Sequence, residues 1–187
     1  MKIIENKRFG EERDLYASRD LIVKNCRFEG PEDGESALKE SRNIVAEGCY
    51  MDLRYPFWHI DRLRIVGGEM TANCRAALWY DRDVEIERCK MNGIKALREC
   101  EGVRLYGVEA DSPEFGWKCR DILIRGGDIT SEYAFLESEN IRAEKLKFAG
   151  KYSFQYTKDV TIKDSELNTK DAFWHAINVT VTDSVLN

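Results

Sequence analysis

A nine-residue phrase recurs nine times along this chain: DLIVKNCRF, NIVAEGCYM, RLRIVGGEM, DVEIERCKM, GVRLYGVEA, DILIRGGDI, NIRAEKLKF, DVTIKDSEL and NVTVTDSVL. Its first apolar residue, used below as the anchor of each repeat, is Leu21, Ile44, Leu63, Val84, Val103, Ile122, Ile141, Val160 or Val179. Successive anchors lie 23, 19 and 21 residues apart, and every later interval is 19. A repeat this short cannot bury a core by itself, so it must stack on its neighbours.

The local pattern says what stacks. Each phrase alternates apolar residues at the anchor and two positions later, such as Val84 and Ile86, which is the period of a strand. A second pair follows at plus five and plus seven, such as Cys89 and Met91. A third apolar position lies at minus six: Leu38, Phe57, Leu78, Leu97, Phe135, Phe154 and Phe173, with Gly116 the exception beside Trp117. Asn or Asp stands just before most anchors, as at Asp20, Asn43, Asp83, Asp121, Asn140, Asp159 and Asn178, where these residues favour turns. Three short inward stripes per coil predict an all-β fold, a right-handed, single-stranded parallel β-helix (solenoid) of about nine coils of 19–23 residues. At about 4.8 Å per coil it stands roughly 38 Å tall. The leucine-rich repeat consensus and the hexapeptide period of a left-handed helix are both missing.

The chain reads as one domain, 1–187, in which polar residues 1–14 form an N-terminal cap and the coils begin at about residue 15. VTVTDSVLN offers no comparable cap, so the C-terminal coil is expected to mediate self-association, because an open ladder recruits other strands. The 187 residues contain 29 Lys and Arg against 34 Asp and Glu, a net charge of −5, which argues against nucleic acid as a partner. No run is apolar enough to span a bilayer, and the charged N-terminus lacks the apolar stretch of a signal peptide. Cys26, Cys49, Cys74, Cys89, Cys100 and Cys119 therefore read as reduced, buried thiols of a cytoplasmic protein rather than disulfides or metal ligands.

The segments GESALKES (Gly34 to Ser41), YPFW (Tyr55 to Trp58), RAALWY (Arg75 to Tyr80), YSFQ (Tyr152 to Gln155) and KDAFW (Lys170 to Trp174) resemble a bacterial family called domain of unknown function 3737. The resemblance covers essentially the whole chain and implies a pectin-lyase-like right-handed β-helix, with further coils in other members. It carries no assigned activity.

Function has to come from the outer columns. Alternation predicts that positions minus five and minus seven point outward. Minus seven is small (Ala37, Pro56, Ala77, Ala96, Ala134, Ser153, Ala172), apart from Phe115. Minus five is large, and all four tryptophans fall there: Trp58, Trp79, Trp117 and Trp174, with Lys39 before the first and Arg98 between Trp79 and Trp117. With Arg75 at minus nine, the expected surface is a shallow trough beside a ladder of indoles and cations, suited to a glycan or a small anionic ligand. The competing expectation is that loops or a partner bury these rings.

Lys95 and Glu114, at minus eight on adjacent coils, should meet as an ion pair and are the weak candidates for general base and acid. His59 and His175 are six coils apart, about 29 Å, and cannot share a metal. No metal site and no cofactor are expected. The acidic cluster by which lyases of this architecture hold calcium is missing, since the outer face offers only Glu35 and Glu132, far apart. N-T-D, D-D and H-G motifs of the hydrolases are missing too. The resulting expectation is a non-catalytic binding or scaffold module with an exposed Trp/Arg/Lys strand face. The alternatives are a carbohydrate-active enzyme of unfamiliar chemistry and a purely structural, self-associating protein.

Overall fold

The computed structural model describes residues 1–30 and 36–187. Gly34 and Glu35, quoted above, lie outside the described residues. Each repeat phrase folds into two strands separated by a corner. The first set, Lys2–Glu5, Arg19–Lys24, Arg42–Glu47, Asp61–Val66, Arg82–Glu87, Glu101–Tyr106, Arg120–Arg125, Glu139–Glu144, Lys158–Lys163 and Ile177–Thr182, forms one ten-stranded parallel sheet. The second halves, from Arg8–Phe9 to Val185–Leu186, form another ten-stranded sheet. Anchors pair with anchors, Val84 with Leu63 on one side and Val103 on the other. The chain is an all-β parallel solenoid of about nine turns.

The segment 1–14 adds one rung to each sheet, with Lys2 opposite Leu21 and Phe9 opposite Phe28. A lysine at the anchor position hides this rung from a search for apolar anchors.

Anchor and plus-two side chains are almost fully buried through Ile162, as are most of those at plus five and plus seven. The third side differs. Its regular strands are only two residues long, Phe57–Trp58, Leu78–Trp79 and Leu97–Arg98, extended by a single bridge between Arg98 and Trp117. Turns occupy the rest, so strict alternation fails there. Ala77, Ala96, Ala134 and Ser153 at minus seven are 0% exposed, as are Leu78, Leu97, Phe135 and Phe154 at minus six. The expected trough of small residues is therefore absent: its floor is core.

The two exceptions in these columns explain each other. Phe115 is fully buried at minus seven, and Gly116 at minus six makes room. A Cβ on Gly116, whose φ is +74°, would lie 2.7 Å from the ring of Phe135. Phe115 instead meets Phe135 edge-on, with ring centroids 5.7 Å apart.

Left-handed corners set the cross-section. Residues just before the anchors take positive φ, from Asp20 (53°) to Asn178 (57°), as the Asn/Asp column requires. Asn43 Nδ2 donates to Asp20 Oδ1 at 2.5 Å and Asn178 Nδ2 to Asp159 Oδ1 at 2.8 Å, so this column also bonds to itself. Two more left-handed columns stand at plus four, from Asn25 to Asp183, and at minus four, from Glu40 to His175.

Candidate functional site

The left-handed corner at minus four leaves the following N–H without a strand partner. A side chain from the next coil fills that role, which accounts for the Ser, Cys and Asp residues at minus three. Ser41 Oγ accepts from Ser18 N at 3.0 Å, Cys119 Sγ from Cys100 N at 3.4 Å, and Ser138 Oγ from Cys119 N at 2.9 Å. Cys100 and Cys119 thus do more than fill space. All six cysteines are free and buried, and burial pushes the thiols of Cys49, Cys74 and Cys89 up to about 11, 11 and 12.

Asp81 occupies this column at 0% exposure. Its Oδ1 accepts the N–H of Ile60 at 2.6 Å, while Oδ2 is buried without a hydrogen-bond partner. Burial, and secondarily Cys100, raises its pKa well above the usual carboxylate range.

Outside this column, minus five forms a continuous stack. Lys39 Nζ lies 3.7 Å from the Trp58 ring centroid, and Trp58 stacks on Trp79 at 5.1 Å with 15° between planes. The Arg98 guanidinium lies 5.8 Å from the centroids of both Trp79 and Trp117. Trp117 Nε1 donates to the carbonyl of Tyr133. Trp58, Trp79, Arg98 and Trp117 are half-buried, and Trp58 and Trp79 place their ring faces against protein groups. Trp174, 59% exposed, has Tyr156 and His175 as its aromatic neighbours. Arg75 is exposed at the start of its turn, and its carbonyl accepts the N–H of Lys95.

Lys95 and Glu114 meet as expected, Nζ to Oε2 at 3.4 Å, each about a quarter exposed. The contact is electrostatic only, because Glu114 Oε2 is buried and has no hydrogen bond. Among the described residues no group of three His, Cys, Asp or Glu is placed to hold a metal ion.

The site missed in the sequence is the corner beside the ladder. Glu99, at minus four, accepts hydrogen bonds from Trp79 Nε1 (3.4 Å) and Arg98 Nε (3.2 Å), and its carboxylate interacts with the Tyr80 phenol. Burial pushes its carboxyl up, but these bonds outweigh that effect and hold it below its ordinary value. The neighbouring Glu99 carboxylate raises the Tyr80 phenol. Tyr80 lies with one face along Trp79, centroids 5.3 Å apart, and remains 43% exposed. Two adjoining clefts, of about 220 and 370 Å³, share His59, Tyr80 and Arg82. Trp58 borders the first. His59 Nδ1 is 2.9 Å from Glu40 Oε2, and Glu40 borders the second. The left-handed backbone at His59 (61°), Tyr80 (59°) and Glu99 (52°) turns these side chains out of the ladder, a geometry that strand alternation does not anticipate.

The family described as Protein of unknown function (DUF3737) matches residues 2–187. No curated protein and no solved structure matches the chain. With the match spanning nearly its whole length, the chain belongs to the DUF3737 family.

Proposed function

We propose that this DUF3737 solenoid is a non-catalytic binding module whose ligand site is the corner cleft bordered by Trp58, His59, Tyr80 and Arg82, with an extended glycan as ligand. The observation that carries the reading is the division of labour between two adjacent columns. The stack from Lys39 to Trp117 spends its aromatic faces on itself and so makes a stiff spine. Tyr80 and its neighbours project from that spine with ring surface and polar groups open to solvent. A glycan array covering neutral and anionic polymers tests the reading, repeated with Trp79→Ala to remove the support under Tyr80. Binding that weakens in this variant supports it. Turnover of a polysaccharide abolished by Glu114→Gln would replace it with an enzyme.

A second reading concerns the coil 170–187. Phe173, Val179 and Val181 pack on the core but are only partly buried, and Ile177 is 59% exposed, whereas Phe154 and Val160 one coil earlier are fully buried. Self-association through this coil would cover them. Sedimentation velocity across a concentration series tests it, and a single monomeric species at high concentration would count against it.

A further inference from the structure

We infer that the corner cleft selects a neutral, hydroxyl-rich saccharide rather than an anionic one. This inference rests on the binding reading above and narrows it to a substrate class.

Charge balance is the first argument. Arg19, Arg42 and Arg82 border the two clefts, but so do Glu40, Asp61, Glu99 and Glu101. Two of these three cations are already engaged: Arg42 Nε is 3.0 Å from Asp61 Oδ2, and Arg82 Nε is 4.0 Å from Glu101 Oε2. His59 is likewise held by Glu40. A uronate or phosphate would have to break these pairs while lying against their carboxylates, a like-charge contact that disfavours binding. A neutral sugar needs neither.

Donor and acceptor geometry is the second argument. A sugar hydroxyl is both donor and acceptor, so vicinal hydroxyls are best met by a donor and an acceptor side by side. The pairs Arg42–Asp61 and Arg82–Glu101 each set a guanidinium beside a carboxylate on the next coil, with ladder spacing of about 4.8 Å. Both pairs occupy the same column two positions before the anchors, so they repeat along one line.

The third argument is the platform. Tyr80 is braced by Trp79 on one face, so its position costs little further ordering when a sugar ring packs on it. Trp58 and Trp79, the tryptophans nearest this cleft, already have their ring faces against one another and against Lys39 and Arg98.

Isothermal titration of the full chain with cellohexaose, xylohexaose, mannohexaose and hexagalacturonate tests the inference, with Tyr80→Ala, Arg82→Met and the distant Trp174→Ala as variants. The expected result is binding of a neutral hexasaccharide that changes little between low and high salt. Affinity should fall about tenfold in Tyr80→Ala, and comparably in Arg82→Met, with Trp174→Ala unchanged. Near-ultraviolet circular dichroism of each variant separates loss of the site from loss of the fold. Tighter binding of hexagalacturonate, falling steeply with salt, would overturn this inference and leave the binding reading standing. No binding of either class would overturn both. Neutral binding insensitive to Tyr80→Ala and Arg82→Met in folded variants would put the site elsewhere and sink the assignment to this cleft.

Discussion

Asp81 Oδ1 receives the backbone N–H of Ile60, one coil earlier, at 2.6 Å. It does for Ile60 what Ser138 Oγ does for Cys119, but with a carboxyl where the column otherwise uses a hydroxyl or thiol. The second oxygen is left buried and unpartnered. The bond is needed, and the carboxyl is more than the position requires.

Asp81→Asn is therefore expected to stabilise the fold at neutral and mildly alkaline pH. The folded pKa lies above the unfolded one, so the native state retains a proton that the unfolded state releases. Stability from this group is present below the unfolded value, near pH 4, and is lost as pH rises toward the folded value. The asparagine keeps an oxygen for Ile60 and cannot ionise. Its advantage should grow from pH 4 to pH 8, reaching about 1–3 kcal/mol in urea unfolding. Parallel stability curves for the two proteins would refute this.

Ser138 accepts from Cys119 N at 2.9 Å and donates to Gly116 O at 2.6 Å, entirely within the core. Ser138→Ala should cost about 1–3 kcal/mol by stranding both backbone groups. Ser138→Cys, which copies Cys100 and Cys119, should cost clearly less. Equal losses in the two variants would mean that volume, not hydrogen bonding, governs the column.

Adjacent glycines should respond in opposite ways. A Cβ on Gly68 (φ +83°) would lie 2.2 Å from the carbonyl oxygen of Cys49, whereas one on Gly67 (φ +62°) would meet nothing nearer than 4.0 Å. Gly68→Ala should destabilise by about 1–3 kcal/mol or prevent folding. Gly67→Asn, which repeats Asn25 at the same corner, should stay within about 0.5 kcal/mol of the parent. Thermal unfolding of the two variants checks this directly.

The Lys95–Glu114 pair reads as structural, and a mutant cycle can show it. Lys95→Met leaves the buried Oε2 of Glu114 without its cation and should cost about 1–3 kcal/mol. Adding Glu114→Gln should recover part of that loss. A cycle with no coupling would remove the pair from the structural account.

Much of the fold was legible because a solenoid writes its tertiary contacts into a local period. Val84 stacks on Leu63 and Val103 by a register that the anchor spacing already contains. Lys95 and Glu114 met for the same reason, since equal offsets from successive anchors become neighbours. The left-handed Asn/Asp corner was readable from residue type. The minus-four column was not, because Glu40, His59 and Tyr80 do not advertise positive φ.

That limit decided the functional reading. The sequence by itself determined the coil, its register, the inward columns of both long sheets and the alignment of all four tryptophans. Only the tertiary structure decided that minus seven is largely core, that Trp58 stacks on Trp79, and that Tyr80 faces solvent beside a cleft. Periodicity reports which residues share a column. Where a side is made of turns rather than extended strand, the direction in which a column points depends on backbone dihedrals, which go together there with hydrogen bonds between coils such as that from Ile60 N–H to Asp81 Oδ1.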